Sequence, residues 1–375
     1  MKSEQAGLYI HIPFCLSKCG YCSFYSVESL HLIPEYIASL NQEIKQYRNI
    51  FSSFDTVYFG GGTPSLLTPN QLTEILASIY KYFNITADAE ITLEANPGDL
   101  SFSYLKALRA TGINRLNIGV QSFNDKILKL LGRRHSAKEA ISSINAARTS
   151  GFHNLGIDLI YGVHGLGIKS WKKTLEQAVA FLPEHISCYQ LSLAEKTSLY
   201  KEYNLKGWRL PDEKTELKLF LATDEELTGA GYIHYEVSNF ARKDAFKSRH
   251  NQKYWQHTPY LGLGPSANSF LNNKRWWNKT SVIKYIEDTT SGKMPLENSE
   301  MLSTEQLQLE TLFLGLRTKA GINLKKFQTR FGVDLPQARK AMIDALVKNS
   351  LVEIKGGFLR PTVKGMAVAD SLALI

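Results

Sequence analysis

Three of the four cysteines lie within eight residues near the start of the chain. Cys15, Cys19 and Cys22 have the spacing C-x3-C-x2-C, and thiols this close together in a reduced protein are most simply metal ligands. A structural zinc site and an ordinary four-iron cluster each require four protein ligands. Three thiolates would instead hold three irons of a four-iron cube and leave the fourth iron open to a substrate or cofactor. We expect the remaining cysteine, Cys188, to be a small buried residue rather than a ligand.

Further polar or flexible residues recur where apolar, β-rich runs of the sequence end: Gly60, Glu94, Gln121 and Asp158. Carboxylates and amides can accept hydrogen bonds from a ligand. A glycine-rich turn lets backbone carbonyls approach a ligand closely because no Cβ intervenes. Together with Cys15, these residues form a candidate binding set whose members are far apart in the sequence.

Predicted strands and helices alternate through residues 8–227, which indicates a parallel sheet. The predicted strands are Leu8–Ile12, Thr56–Phe59, Glu90–Leu93, Arg115–Val120, Asn154–Ile160 and His185–Leu193. The predicted helices are Pro34–Ile50, Pro69–Phe83, Ser101–Ala110, Ala137–Thr149, Ser170–Phe181 and Glu213–Leu227. Six such units in a row favour a barrel or partial barrel, in which chemistry lies at the carboxyl ends of the strands. Because the candidate residues follow the strands, we expect them to share one site.

The segment 9–24, YIHIPFCLSKCGYCSF, resembles the cluster loop of the radical S-adenosylmethionine superfamily. Within that superfamily it is similar to the anaerobic coproporphyrinogen III oxidase family. Further family motifs match in order: GGGTP at 60–64, LEANP at 93–97, IGVQSF at 118–123, Arg133, and IDLIYG at 157–162. The resemblance extends from about residue 8 over nearly the whole chain and implies a partial (β/α) TIM-like barrel of the radical SAM type.

The resemblance also implies a [4Fe-4S] cluster, held by the three clustered cysteines, beside a site for S-adenosylmethionine. The residues that it assigns to S-adenosylmethionine are Tyr9, Tyr21, Gly61, Gly62, Thr63, Glu94, Gln121, Arg133 and Asp158. Their chemistry fits that ligand, whose amine and carboxylate can chelate the open iron. The Arg133 guanidinium can pair with the ligand carboxylate. Glu94 and Asp158 can accept hydrogen bonds from the ribose hydroxyls or the amine.

Two features distinguish between the two functions found in this family. The oxidase has a further cysteine two residues after the third, whereas Phe24 stands at that position here. Residues 250–255, HNQKYW, match the H-N-x-x-Y-W pattern of the HemW-type heme chaperones. The resemblance therefore implies a protein that binds heme and transfers it to acceptor proteins, without coproporphyrinogen oxidase activity. The alternative is an oxygen-independent coproporphyrinogen III oxidase, which decarboxylates its porphyrinogen in heme biosynthesis.

The HNxxYW motif also supplies candidate heme contacts. A neutral imidazole is a natural axial ligand of heme iron, which makes His250 the predicted ligand. Tyr254 and Trp255 are predicted to pack on the porphyrin, and His234 and His257 are alternative ligands nearby. The partners that we expect are heme and heme-accepting proteins, with membrane-bound respiratory proteins as candidates. The family implies a monomer or a homodimer.

The 375-residue chain, with 43% hydrophobic residues and a net charge of +9, has the composition of a globular protein. We predict a radical SAM partial barrel over 1–240, a loop-rich connecting segment with the HNxxYW motif over 241–302, and a small helical, winged-helix-like domain over 303–375. The basic residues of the last domain do not line one helix, so we expect no nucleic-acid partner. Neither a signal peptide nor an apolar stretch of about 18 residues is evident, which predicts a cytoplasmic protein, at most peripheral to the membrane.

Overall fold

The first part of the chain alternates strands and helices in the computed structural model, which describes residues 5–372. Its strands are β1 (Ala6–Ile12), β2 (Phe54–Gly61), β3 (Ile85–Ala95), β4 (Arg115–Gln121), β5 (Leu155–Tyr161) and β6 (His185–Gln190). Its helices are α1 (Ile33–Gln46), α2 (Pro69–Tyr82), α3 (Phe102–Ala110), α4 (Asp125–Leu130), α5 (Ala137–Thr149), α6 (Ile168–Ala180), α7 (Ser198–Lys206) and α8 (Glu213–Gly229). Every predicted strand and helix over 8–227 is present, with ends that differ by a few residues. Residues 1–4 and 373–375, at the outer ends of the first and last predicted domains, lie outside the described residues.

The second part of the chain contains shorter elements. Its strands are β7 (Ile233–Glu236), β8 (Asn239–Ala241), β9 (Tyr260–Leu263), β10 (Asn268–Leu271), β11 (Lys274–Asn278), β12 (Leu296–Met301), β13 (Ile322–Asn323), β14 (Val352–Lys355) and β15 (Phe358–Pro361). Its helices are α9 (Arg249–Trp255), α10 (Val282–Thr290), α11 (Thr304–Gly315), α12 (Leu324–Phe331), α13 (Leu335–Ala338), α14 (Lys340–Lys348), α15 (Val363–Ala367) and α16 (Ala369–Leu372). Among residues 5–372, no helix combines the length and the apolar character that crossing a membrane requires.

One twelve-stranded sheet has the order β12-β11-β10-β9-β1-β2-β3-β4-β5-β6-β8-β7. Strands β1 to β6 pair in parallel with their sequence neighbours, so the carboxyl ends of all six lie at the same edge. Connections between parallel strands of one sheet are right-handed, which places the intervening helices on one face of a curved sheet. The predicted partial barrel of the radical SAM type is confirmed.

The core lies between the sheet and its helices. The apolar face of α1, which includes Tyr36, Leu40 and Ile44, is buried in the core. The helix starts are also encoded locally. Thr68 and Gln71 form a capping box at the start of α2, and Ser136 and Glu139 form one at the start of α5. These caps satisfy backbone N–H groups that would otherwise lack partners, so each helix begins at a defined residue.

Residues 241–302 contain more regular structure than the sequence indicates. The segment was expected to be loop-rich, yet four of its strands, β9 to β12, extend the main sheet beyond β1, and β9 pairs in parallel with β1. These strands are only four to six residues long, and β12, with the sequence LENSEM, lacks apolar alternation. The pairing of neighbouring strands therefore determines this part of the fold, which a local pattern cannot reveal.

The C-terminal residues form a small unit with its own core. A three-stranded sheet of order β13-β15-β14 packs with α12 and α14 around Phe327, Ile343 and Leu359. Helices α13 and α14 are separated at Arg339, which leaves helical geometry at φ −121°. Helices followed by a hairpin match the predicted winged-helix-like arrangement.

Candidate cofactor site

A cavity of about 430 Å³ opens at the carboxyl ends of the parallel strands. Eleven of the twelve residues predicted to bind the cluster or S-adenosylmethionine line it: Cys15, Cys19, Tyr21, Cys22, Gly61, Gly62, Thr63, Glu94, Gln121, Arg133 and Asp158. The exception is Tyr9, whose ring lies alongside that of Tyr58, with 6.2 Å between centroids, and does not line the cavity. The tertiary structure thus brings together residues that are up to 143 positions apart in the sequence.

The cysteine loop follows β1 and is anchored at both ends. Cys15 N donates to Val27 O at 3.0 Å, and Val27 N donates to Pro13 O at 2.7 Å. The thiol of Cys15 accepts from Thr63 Oγ1 at 3.4 Å, and that of Cys19 accepts from Arg133 Nη1 at 3.3 Å. Within residues 5–372, no three Cys, His, Asp or Glu side chains converge on a single-ion position. A four-iron cluster has a different requirement, because each thiolate ligates a separate iron.

The glycine-rich turn at the end of β2 contacts the cysteine loop directly. Gly62 N donates to Ile12 O at 2.8 Å, and Thr63 N donates to Phe14 O at 2.7 Å. A Cβ on Gly62 would lie 2.6 Å from Phe14 O, a separation that side chains do not tolerate. Gly61 adopts φ +107°, a conformation that residues with a Cβ rarely take. The two glycines therefore let the end of β2 pass close enough to form one wall of the cavity.

Two half-buried carboxyl groups face the cavity from β3 and β5, on either side of β4. Tyr58 OH donates to Glu94 Oε1 at 2.7 Å, and Asn117 Nδ2 donates to Asp158 Oδ2 at 2.5 Å. Burial raises the pKa of Glu94 to about 7, against the opposing effect of the Tyr58 hydrogen bond. Burial also raises the pKa of Asp158 to about 6, opposed by hydrogen bonds from Ser187 and Asn117. Both carboxyls therefore exchange protons near neutral pH, where a ligand can shift their ionisation.

Arg133 is held at the cluster side of the cavity. Its Nη2 donates to Asn96 Oδ1 at 2.6 Å and to Gly119 O at 2.8 Å, while its Nη1 faces the Cys19 thiol. The guanidinium thus lies where negative charge accumulates on thiolates. Burial raises the pKa of the neighbouring Tyr21 phenol, although the Arg133 charge opposes that shift.

Several buried polar atoms at the cavity lack partners, which fits a polar ligand. Among residues 5–372, Gln121 Oε1, Asp158 Oδ1, Asn96 Nδ2 and Arg133 Nε form no hydrogen bond. Buried polar groups are normally paired, because desolvation without a partner is costly. Gln121 also has a left-handed backbone, with φ +64°, a conformation found at strained functional positions. Amine, carboxylate and hydroxyl groups such as those of S-adenosylmethionine would satisfy these atoms.

The structure adds site residues that the sequence analysis did not select. Asn96, Asn117 and Tyr189 line the cavity, and Tyr58 supports Glu94 from below. The sequence signal for these residues was a polar or amphipathic side chain within or directly after an otherwise apolar strand. Asn96, for example, lies two positions after Glu94, just beyond the end of β3. That pattern alone does not distinguish a ligand contact from a residue that orients one.

His250, the predicted heme ligand, lies deep inside the barrel on α9. Its Nδ1 is 2.8 Å from Thr56 Oγ1 and its Nε2 is 2.8 Å from Tyr254 OH, and only 1% of the residue is exposed. Its ring stacks on Tyr58, with 5.0 Å between centroids. Both ring nitrogens are therefore engaged in this arrangement, and heme iron could reach the imidazole only after the Tyr254 or Thr56 contact had opened. The role of His250 as heme ligand stays a prediction.

The neighbouring predicted heme contacts lie outside the cofactor cavity. Tyr254 and Trp255 are half-buried, and Tyr254 packs edge-on against Tyr260, with 4.8 Å between centroids. The alternative ligands are also engaged. His234 Nδ1 is 2.8 Å from Asp224 Oδ1, and His257 Nε2 is 3.2 Å from Glu310 Oε2.

Comparison with known proteins places this site in a family context. The radical SAM superfamily matches residues 9–178, and the HemN C-terminal domain matches residues 302–368. The heme chaperone HemW of Lactococcus lactis subsp. lactis is 33% identical over 373 residues, which span 99% of this chain and 97% of that protein. The heme chaperone HemW of Bacillus subtilis is 33% identical over 92% of each chain. The solved structure of coproporphyrinogen III oxidase (HemN) from Escherichia coli has the same fold, with a TM-score of 0.85 at 24% identity over 99% of this chain and 90% of that one.

Proposed function

The chain belongs to the HemW heme chaperone family within the radical SAM superfamily, and on that premise we propose that it binds heme and transfers it to acceptor proteins. In this proposal Cys15, Cys19 and Cys22 carry a [4Fe-4S] cluster, and the adjoining cavity binds S-adenosylmethionine. The observation that carries the proposal is the 33% identity, over nearly the full length of both chains, with a protein named as a heme chaperone.

The cavity supports the cofactor part of this proposal. A four-iron cluster with an open iron supplies a position for the amine and carboxylate of S-adenosylmethionine. The Arg133 guanidinium neutralises charge beside the Cys19 thiolate, since its Nη1 lies 3.3 Å from that sulfur. Glu94 and Asp158 accept hydrogen bonds from the ligand when they are ionised. The narrow turn at Gly61 and Gly62 holds the backbone against the cysteine loop without excluding the ligand.

Phe24 favours the heme-chaperone function over coproporphyrinogen oxidase activity. Its side chain lines the mouth of the cavity and is 67% exposed, at the position where the oxidase has a further cysteine. An exposed phenylalanine offers an apolar contact and no metal-ligand chemistry. The oxidase remains the second candidate because eight of the nine residues assigned to S-adenosylmethionine line one cavity.

One set of measurements on anaerobically reconstituted protein tests these functions. We expect about four irons and four sulfides per chain, saturable hemin binding by absorbance titration, and transfer of heme to an apo-acceptor. We also expect no decarboxylation of coproporphyrinogen III in the presence of S-adenosylmethionine and a reductant. Decarboxylation at a catalytic rate without hemin binding would replace the chaperone with the oxidase.

A further inference from the structure

Tyr58 connects the HNxxYW motif with the cofactor site. This residue lies on β2, is buried, and donates its phenolic proton to Glu94 Oε1 at 2.7 Å. Its ring also stacks on the His250 ring, with 5.0 Å between centroids and 26° between planes. The hydroxyl of this side chain therefore contacts a residue assigned to the cofactor, while its ring contacts the motif on α9.

The strand register places Tyr58 and Glu94 on one face of the sheet. Tyr58 pairs with Thr92 in the parallel register of β2 and β3, and Glu94 follows Thr92 by two residues. Because side chains alternate between the two faces of a strand, Thr92 and Glu94 point to the same face as Tyr58. The contact between the phenol and the carboxyl is thus built into paired strands and does not depend on a loop.

Gly60 leaves the space that this pair occupies. A Cβ at Gly60 would lie 3.0 Å from Tyr58 Cε1 and 3.2 Å from Glu94 Oε2. Side-chain carbons rarely approach their neighbours this closely, so the absence of a side chain at position 60 lets the phenol and the carboxyl meet. The Tyr9 ring lies alongside the Tyr58 ring, with 6.2 Å between centroids. Together with the His250 stack, this packing fixes the plane of the phenol.

The hydrogen-bond partner of the Glu94 carboxyl is a neutral phenol. Burial raises the pKa of Tyr58 well above its usual value and the Glu94 charge raises it further, so the phenol stays protonated and can donate. Burial raises the pKa of Glu94 to about 7, whereas hydrogen bonds from Tyr58 and from the Gly61 backbone lower it. The phenol therefore favours the ionised carboxylate without cancelling its negative charge, as a lysine or arginine partner would.

Other titratable groups face Glu94 from the neighbouring elements. They are Tyr9 on β1, Asp158 on β5, Tyr189 on β6 and Tyr254 on α9. The Asp158 charge raises the pKa of Glu94. The three tyrosines stay neutral, because burial raises their pKa values well above the usual range. Among these side chains and Tyr58, the Tyr58 phenol is the one whose hydrogen bond lowers the pKa of Glu94.

We propose that Tyr58 is a positioning residue that holds Glu94 as an ionised hydrogen-bond acceptor for S-adenosylmethionine. This inference deepens the proposed function and rests on it. Tyr58 does not line the cavity, so it acts through Glu94 rather than by contact with the ligand. The ligand then meets a carboxylate whose orientation is already set, and less conformational freedom is lost on binding.

The first test measures the protonation of Glu94 in full-length protein before S-adenosylmethionine is added. Tyr58→Phe removes the phenolic hydroxyl and keeps the ring that stacks on His250. Infrared titration, with Glu94→Gln as the difference reference, should show the pKa of Glu94 higher by about one unit, because a hydrogen bond to the charged form is lost. The matched control is Tyr232→Phe, which removes a buried phenolic hydrogen bond to Pro183 O at 2.7 Å and should leave that pKa unchanged.

The second test measures S-adenosylmethionine binding to the reconstituted protein by equilibrium dialysis. If the pKa of Glu94 rises from about 7 to about 8, its ionised fraction at about pH 7.5 falls from roughly three quarters to roughly one quarter. Tyr58→Phe should therefore bind about threefold more weakly at that pH and approach the wild-type affinity above about pH 9. Tyr232→Phe should follow the wild-type curve throughout.

The outcomes separate the positioning role from the proposed function. An unchanged infrared titration, or an unchanged binding curve, for Tyr58→Phe overturns the positioning role while the proposed function stands. A loss of affinity that is equal at every pH also overturns it, since a merely structural role has that effect. If wild-type protein binds no S-adenosylmethionine, the cofactor part of the proposed function is overturned and the positioning role with it. Circular dichroism and iron content of each variant establish that the changes do not come from unfolding.

Discussion

Proton exchange on single residues is expected to control ligand binding at the cofactor site. Glu94 and Asp158 are half-buried, and desolvation of their carboxyl groups raises the pKa values to about 7 and about 6. Because a raised pKa means that the protonated form persists to higher pH, acid removes the acceptor character of both groups. The exposed Glu74 on α2 lacks this environment.

Acidification is therefore expected to weaken the binding of S-adenosylmethionine. Between about pH 8 and pH 6, Glu94 and then Asp158 become protonated, so the affinity of the cluster-loaded protein should fall. Glu94→Gln should bind roughly tenfold more weakly at pH 8, because an ionised acceptor is lost, and should show a shallower pH dependence. Equilibrium dialysis at several pH values measures this.

Glu74→Gln is the matched control for that experiment and should follow the wild-type curve. Affinity that rises on acidification, or a Glu94→Gln curve identical to that of the wild type, would contradict the role of the two carboxyls.

The close approach at Gly62 leads to a second prediction at the scale of single residues. Gly62→Ala should disturb the cysteine loop, because the new Cβ would lie 2.6 Å from Phe14 O and 2.9 Å from Ile12 O. We expect a lower iron content after reconstitution and weaker S-adenosylmethionine binding. The control is Gly229→Ala at the end of α8, where a Cβ meets nothing within 4 Å. Equal iron content in the two variants would show that the loop tolerates the methyl group.

At the scale of elements, α9 fixes the lower part of the barrel through buried polar contacts. His250 N donates to Glu90 Oε1 at 3.2 Å, and the Arg115 guanidinium lies 3.7 Å from Glu90 Oε2. Lys253 Nζ pairs with Asp55 Oδ1 at 2.6 Å. Burial lowers the pKa of His250 to about 3, so its ring stays neutral and suits the two hydrogen bonds that it makes. The HNxxYW motif thus has a structural role in this arrangement.

His250→Ala should reduce the free energy of unfolding by ~2–4 kcal/mol, because it leaves a cavity and removes two buried hydrogen bonds. Urea unfolding followed by circular dichroism measures the change. His153→Ala, an exposed histidine at the start of β5, should change stability by less than about 0.5 kcal/mol. A stable His250→Ala protein that had lost only heme binding would instead support the predicted role of His250 as the heme ligand.

At the scale of the whole molecule, the cysteine loop and the HNxxYW motif occupy different parts of the fold. The cysteines lie in the loop after β1, whereas the motif lies on α9, and neither Tyr254 nor Trp255 lines the cofactor cavity. The cluster and the predicted heme contacts therefore depend on different segments.

Loss of the cluster should accordingly leave much of the heme affinity intact. Cys19→Ala should abolish the iron–sulfur absorbance and the bound iron, since three thiolates are required to hold the cluster. Its apparent affinity for hemin should stay within about threefold of wild type, less than the tenfold that corresponds to 1.4 kcal/mol. Paired iron analysis and hemin titration measure both properties. Cys188→Ala, which removes a buried thiol from β6, is the control and should retain cluster and heme. Loss of both ligands in folded Cys19→Ala protein would show that the sites are coupled.

The sequence was sufficient to predict the elements whose pattern is local. Strands β1 to β6 are recognisable as short, β-rich and largely apolar runs, because most of their residues are buried. The segment 241–302 was predicted poorly because its strands are short and partly polar. Their conformation depends on pairing with β1 and with one another, and residues that are distant in the sequence supply that pairing.

By itself, the sequence determined the three thiols, the glycine-rich turn and the ordered polar residues, because their chemistry and spacing are visible in one dimension. Only the tertiary structure decided which of them meet. It gathered eleven of the twelve around one cavity, since parallel strands bring their carboxyl ends to one edge. It also removed His250 from solvent. The physical reason is that the accessibility of an imidazole is a property of packing, and no spacing along the chain records it.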